Sequence, residues 1–267
     1  MSDQPIAIIT GSGTYALGGL EDAESVTETT PWGEAELTAG RLGDTPVLHL
    51  PRHGEGHARL SNTVNHRAGI WALHERGAAA VIGCTACGAV DPQVGLGDLI
   101  VFDDLHFLSN RLPDGSLATF YTEAGDPQRG HWILGDPYSV QVRQAVVAAA
   151  GETDHTARDG GTYGHVDGPR FNTKTEIRQL AGSGVTAVSQ TGGPETALCG
   201  ELELPYALVG FATDYANGVV DEATPVEELI ALMSKSTGVF SDILRIAVPA
   251  LAAAEPEPGG TVYRFEG

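Results

Sequence analysis

Short apolar runs that stop at small or polar residues, separated by stretches of helical periodicity, constrain this chain more than any other feature. Residues 5–10 (PIAIIT) close on Gly11-Ser12-Gly13, and residues 46–51 (PVLHLP) close on Arg52-His53. Residues 79–84 (AAVIGC) lead into Thr85-Ala86-Cys87-Gly88, and further strand-like runs cover 98–103, 162–166, 186–191 and 206–213. Helical spacing marks 61–76, with Ser61 as N-cap and Val64, Ala68, Trp71 and Ala72 on its apolar face. It also marks 138–150, 173–181, 194–203 and 225–251. Strands alternating with helices predict an α/β fold with a mostly parallel or mixed central sheet flanked by helices. The length suits one large domain or two small ones. No linker interrupts the chain before 255–260 (EPEPGG), which reads as a flexible tail. The expected organisation is one domain over 1–254 and a tail over 255–267.

Ligands of such sheets bind beyond the carboxyl ends of the strands, so the residues after each strand carry the functional reading. Charge narrows it. With 15 Lys+Arg against 35 Asp+Glu the net charge is −20, which excludes general binding to nucleic acid or to an anionic membrane. The basic residues are unevenly spread. Arg52, Arg59, Arg67 and Arg76 lie with His53, His57, His66 and His74 within 52–76, opposed only by Glu55 and Glu75. A cationic island in an acidic chain predicts a site for a small anion; solvated helix charges would give the same pattern. No apolar run is long enough to span a bilayer. The N-terminus lacks a basic, apolar leader, which gives the expectation of a cytoplasmic protein. Cys84 and Cys87 have C-x-x-C spacing, but with only Cys199 besides them and a strand-like setting they read as small buried thiols, with no metal site.

Six segments carry candidate chemistry. Gly11-Ser12-Gly13 could cradle a phosphate or form a tight turn. Pro51-Arg52-His53-Gly54 offers a forked guanidinium and a tunable donor, with His57 in reach; a surface salt bridge is the alternative. Thr85-Ala86 could add neutral donors. Gly168-Pro169-Arg170-Phe171-Asn172-Thr173 combines an irregular approach, a stacking face and a helix cap at Thr173, and also reads as a plain helix-entry loop. Gln190-Thr191-Gly192-Gly193-Pro194-Glu195 joins a strand to a helix, with glycines that permit close ligand approach. Asp214 ends an apolar strand, where a carboxylate is costly unless paired or functional.

In their order, these segments resemble the purine nucleoside phosphorylase family, most closely its 5′-methylthioadenosine phosphorylase branch. The resemblance runs from Ile6 to about Asn217 and rests on GSG, PRHGEGH, VNHRAGIWAL, CTACGAV, GDLIVFDD, GTYGHVDGPRF, TGGPE and FATDYA. It implies a trimer of single α/β domains with a twisted central sheet. The implied reaction uses inorganic phosphate as co-substrate, with no metal or organic cofactor, and gives a free purine and a pentose 1-phosphate. By similarity Ser12, Arg52, His53, Thr85, Ala86 and Thr191 hold the phosphate. Phe171, Asn172, Cys87 and Gly88 lie by the base, and Asp214 faces its N7 edge. Gln190 stands where the family has a ribose-contacting Met. His57 lines the 5′ pocket, and His131 resembles a histidine supplied there by a neighbouring subunit. Asp214 and His53 are the implied catalytic groups.

This chain departs from the branch at Gln190, at Asn172, and at Ala216, where a second carboxylate is usual. The expected substrate is therefore an adenosine-like or 5′-modified nucleoside. A 6-oxopurine nucleoside, a phosphate-independent nucleosidase and an inactive nucleoside-binding protein stand as alternatives.

Overall fold

The computed structural model describes residues 4–14 and 17–265; both ends of the chain and Tyr15-Ala16 lie outside the described residues. In chain order the elements are β1 (Ile6–Thr10), β2 (Glu21–Thr30), β3 (Gly33–Leu42), β4 (Thr45–Pro51), α1 (His66–Glu75), β5 (Ala80–Ala89), β6 (Leu99–Val101), β7 (Asp104–His106), β8 (Gly130–Ile133), α2 (Val140–Gly151), β9 (Ala157–Asp159), β10 (Thr162–His165), α3 (Lys174–Gly182), β11 (Val185–Ser189), α4 (Gly192–Glu201), β12 (Tyr206–Tyr215), α5 (Val226–Ala252) and β13 (Thr261–Arg264).

One mixed sheet organises the molecule. Its main path runs β2-β3-β4-β1-β5-β11-β10-β7, with β12, β6 and β9 branching from β5. β1 shows why the faces separate: Ala7 and Ile9 enter the core beside α1 and α4, whereas Ile6 and Ile8 enter the core beside α2 and α5. Strands covered on both faces read as unbroken apolar runs, and each buried Ile contributes roughly 1.5–3 kcal/mol.

The central strand β5 positions the site. Along one edge it pairs with β12 over most of its length. Along the other it pairs with β1 from Ala80 to Gly83, and with β11 only at Gly88 and Ala89. Over Cys84–Cys87 no described strand covers that second edge. The sheet therefore opens beside Thr85 and Ala86, with polar backbone groups available to a ligand.

Several expectations are corrected. The region 61–76 is not one helix. Ser61–Thr63 forms a separate 3-10 turn, and α1 starts at His66 under an Asn65 cap whose side chain accepts from the Ala68 amide. Thr85–Gly88 lie inside β5, not after it. Strands β2 and β3 form a hairpin, exposed along β2, whose alternation in the sequence is confined to Glu34-Ala35-Glu36-Leu37. Within the expected tail over 255–267, Thr261–Arg264 form β13, antiparallel to β8, and Trp132 Nε1 donates to the Gly259 carbonyl at 2.8 Å. No described helix is long and apolar enough to cross a membrane.

Gly83 shows how tightly the centre is packed. A Cβ there would overlap the Tyr206 ring. Gly83→Ala is expected to lower stability by about 1–3 kcal/mol through overpacking. Gly182→Ala, at a helix position with open space around it, is expected to leave stability unchanged or slightly raised. Urea unfolding of both variants checks the contrast; equal effects would contradict it.

Candidate active site

A cavity of about 320 Å³ lies at the opening of the sheet. Its lining includes Ser12, Arg52, His53, His57, Thr85, Ala86, Cys87, Gly88, Phe171, Asn172, Gln190, Thr191 and Asp214. The structure thus brings together every residue to which the resemblance gives a site role except His131. His131 lies on the exposed β8, paired with Tyr263 and ring-on-edge with Phe265, and does not line the cavity of its own chain.

Arg52 is the buried charge beneath this cavity. Its Nε donates to Glu195 Oε1 at 2.5 Å, its Nη2 to Glu195 Oε2 at 3.0 Å, and its Nη1 to the Cys84 carbonyl at 2.8 Å. Three of its N–H groups are thereby committed, leaving one on each terminal nitrogen for a ligand. The side chains are 1% and 2% exposed. Tyr206 Oη also donates to Glu195 Oε2. Burial and the Arg52 charge push the neighbouring His49 and His66 down to about 4 and about 3, so both are neutral at pH 7.

The other expected anion ligands are uncharged. His53 is pushed down to about 4 by burial and then by Arg52. Its Nδ1–H donates to the Arg59 carbonyl at 2.8 Å, which leaves Nε2 as an acceptor in the neutral ring. His57 stacks on it with centroids 4.4 Å apart. The Thr85 and Ser189 hydroxyls meet at 2.9 Å. The Gly11-Ser12-Gly13 turn is tied down by Thr237 Oγ1, which donates to the Gly13 carbonyl. A Cβ at Gly11 would overlap the Arg52 guanidinium, so this glycine makes room for the arginine.

The cationic island does not converge. Arg59 faces Glu36 at 3.8 Å, and Arg76 pairs with Glu28. Arg67 donates to the Thr119 and Leu117 carbonyls and lies over Trp32. Of its arginines only Arg52 reaches the cavity. Gly192 and Gly193 do not approach a ligand either. They make room for the Tyr163 and His165 rings, to which their amides donate.

At the other end, a bulge in β12 sets Ala212 opposite Cys87 and Asp214 opposite Gly88. Thr213 is the extra residue, and its hydroxyl donates to Asp214 Oδ1 at 2.8 Å. A side chain at Gly88 would crowd Asp214 Oδ2, at 3.2 Å from its Cβ. Burial raises the Asp214 carboxyl above the usual carboxylate range, against the Thr213 hydrogen bond. Burial likewise pushes the Cys87 thiol up, and Cys84 up to about 12, so both are unionised thiols at pH 7.

Sequence reasoning missed Glu195, Ser189, Ser61, Leu60, Leu229 and Met233. Glu195 stood in a quoted motif, but no local signal ties it to Arg52, 143 residues away.

Two outcomes follow. Glu195→Ala strands a buried guanidinium and is expected to cost about 3–5 kcal/mol, more than a paired Arg52→Met/Glu195→Leu replacement; urea unfolding compares them. For Asp214, the folded protein holds the proton to higher pH than the unfolded chain does. Stability is then lost as pH rises through that window. Asp214→Asn is expected to stabilise the fold at pH 7, with the gain vanishing below the ordinary carboxylate range. A gain independent of pH would remove the buried ionisation as its cause.

Comparison with known proteins fixes the family. The family model described as "Phosphorylase superfamily" matches residues 5–249. The 6-oxopurine nucleoside phosphorylase of Pyrococcus furiosus is 34% identical over 92% of both chains. The S-methyl-5′-thioadenosine phosphorylase of Mycolicibacterium smegmatis is 34% identical over 94% of this chain and 92% of the relative. Methylthioadenosine phosphorylase from Schistosoma mansoni, solved in complex with adenine, superposes with a TM-score of 0.83 at 27% identity, covering 94% of this chain and 92% of that one. The chain belongs to the phosphorylase superfamily, within the purine nucleoside phosphorylase family and on its methylthioadenosine phosphorylase branch.

Proposed function

We propose that this pentosyltransferase cleaves 6-aminopurine nucleosides, with an apolar 5′ substituent preferred, using inorganic phosphate. The carrying observation is the pairing, in one cavity, of an anion-type donor set around Arg52 with a carboxyl, Asp214, whose burial favours its protonated form.

In this reading Ser12, Arg52, Thr85, Ala86 and Thr191 donate to phosphate held against the sugar, and the His53 Nε2 accepts from a phosphate O–H. A phosphate oxygen bonds to C1′ as the C1′–N9 bond breaks, and the departing purine takes the electron pair. Asp214 donates its proton toward N7, a step typically worth about 10²–10⁴-fold. Fixed donors around phosphate supply positioning and electrostatics. No metal or organic cofactor enters this scheme.

Base preference follows from hydrogen-bond polarity. Adenine presents an acceptor at N7 beside a donor at N6, whereas a 6-oxopurine presents two acceptors. A protonated carboxyl offers a donor and an acceptor side by side, which complements adenine. Leu60, Leu229 and Met233 give the cavity an apolar stretch suited to a 5′-alkylthio group. A homotrimer in which His131 reaches a neighbour's cavity belongs to the same proposal, as does a cytoplasmic salvage role.

A second reading, 6-oxopurine specificity, is favoured by one residue. Buried Ala216 stands beside Asp214 without a second carboxylate.

Base release from adenosine, methylthioadenosine, inosine, methylthioinosine and guanosine, with and without phosphate, tests both readings. The expected result is phosphate-dependent release, fastest for methylthioadenosine, with a loss of about 10²–10⁴-fold in Asp214→Asn. Full turnover without phosphate would sink the phosphorylase reading, and faster release of hypoxanthine than of adenine would reverse the base assignment.

A further inference from the structure

Both polar atoms of the Gln190 side chain are hydrogen-bonded to the protein itself. Ser61 Oγ donates to its Oε1 at 2.7 Å, and its Nε2 donates to the Arg170 carbonyl at 3.2 Å. These partners come from separate walls of the cavity. Ser61 belongs to the 3-10 turn beyond His57. Arg170 belongs to the loop that carries Phe171 and Asn172, and Gln190 itself joins β11 to Thr191 at the anion end.

Two further observations show that this junction is built. A Cβ at Gly168 would overlap both Gln190 and Ser61, so glycine is what lets the pair close over the loop. Ser61 and Gln190 also line a second cavity of about 180 Å³, beside His66, His165 and Arg111. The hydrogen-bonded pair thus borders both that cavity and the nucleoside cavity.

The loop needs such a hold. Residues 167–172 form no helix or strand, and Phe171 is 64% exposed. Asn217 Nδ2 ties down its far end by donating to the Asn172 carbonyl at 2.6 Å. Nearer its start, the Val166 amide donates to the Ser189 carbonyl at 3.1 Å and the Arg170 guanidinium pairs with Glu176, and the Gln190 amide adds the link from this loop to the Ser61 turn.

We infer that Gln190 is a positioning residue that holds the base-side loop at a set distance from the anion end, so that Phe171 and Asn172 meet the purine while phosphate is in place. This rests on the nucleoside reading of the cavity. The amide acts on nucleoside binding and leaves phosphate binding alone, because neither of its two partners is among the residues assigned to phosphate.

A mutant cycle of Ser61→Ala, Gln190→Met and the double variant tests the tether. In the ligand-free protein, amide hydrogen exchange across 167–172 is expected to rise roughly tenfold in each single variant and no further in the double. KM for methylthioadenosine is expected to rise by a similar factor, with KM for phosphate held within about twofold. Gln190→Glu supplies the conservative control. Its protonated carboxyl can donate to the Arg170 carbonyl and its carboxylate cannot. Its nucleoside KM relative to wild type should therefore climb with pH, while the Gln190→Met ratio stays flat. Should Gln190→Met fail to fold, Ser61→Ala and Gln190→Glu carry the test. Additive effects in the cycle, equal rises in both KM values, or a pH-independent Gln190→Glu ratio would overturn the proposal. Exchange is read without substrate. A wild type that releases no base from any purine nucleoside would thus defeat the functional reading, while unchanged exchange in the variants would defeat the tether.

Discussion

A guanidinium with 1% of its side chain exposed must be balanced in place, and around Arg52 the balance is struck by Glu195. Moving two charges out of water costs several kcal/mol each, repaid only when geometry and supporting hydrogen bonds are good. Here the pair is bidentate, Tyr206 donates to the carboxylate, and the Cys84 carbonyl takes another guanidinium N–H. The consequences spread outward. Gly83 must lack a side chain so that Tyr206 can reach Glu195, and Gly11 must lack one so that the arginine can lie under the turn. His49, His53 and His66 stay neutral because they share a buried region with a fixed positive charge. The anion end thus offers an ion pair with two spare N–H groups, surrounded by uncharged polar groups. Such an arrangement recognises a small anion by hydrogen-bond geometry more than by net charge, which suits a molecule that carries −20 overall.

The opening in the sheet follows from the same crowding. β5 exchanges β1 for β11 along one edge, and between Gly83 and Gly88 that edge is left to the cavity. Arg52 comes from the end of β4, where its own amide donates to the Thr10 carbonyl. Glu195 comes from the first turn of α4, packed beneath the sheet. Strand ends and a helix start therefore converge on one gap. Loops supply what the scaffold cannot: the Ser61 turn and the 167–172 segment close the cavity from its exposed side.

Much of this was legible in the sequence because each strand announces its own end. Gly11-Ser12, Arg52-His53 and Asp214 all stand at the limit of an apolar run, and the fold gathers such limits on one side. The Thr173 cap was equally local, and its side chain forms the capping box with Glu176. What stayed hidden depends on distant partners or on patterns without periodicity. Glu195 read as one more first-turn acid until the fold set it against Arg52. Gln190 read as a polar group in need of a substrate hydroxyl, because Ser61 lies 129 residues away in sequence. In the hairpin β2–β3, β2 is mostly solvent-facing, with Glu21, Asp22 and Glu24 in it, and the one alternation, Glu34-Ala35-Glu36-Leu37 in β3, is too short to have announced a strand pair. The arginines of 52–76 share a stretch of sequence but point to different neighbours. Linear clustering of charge was a poor guide to spatial clustering.

The bulge in β12 carries the last step. Without Thr213 as an extra residue, regular pairing would set the Asp214 side chain one register further, opposite Ala89. With it, Asp214 stands opposite Gly88, the one β5 position there with no Cβ to fend it off. Bulges re-aim side chains at a cost in pairing, and here the re-aimed group is itself expensive: a carboxyl on an apolar strand, 9% exposed. The Thr213 hydroxyl favours its ionised form and burial opposes it, with burial the larger effect. The result is an acid that keeps its proton more readily than an exposed aspartate. At the anion end the charge is fixed and fully paired; at the base end burial disfavours it. A reaction that draws negative charge from phosphate to C1′ and onto a departing purine needs that asymmetry. The fold builds it from one ion pair, one bulge and three glycines, Gly11, Gly83 and Gly88.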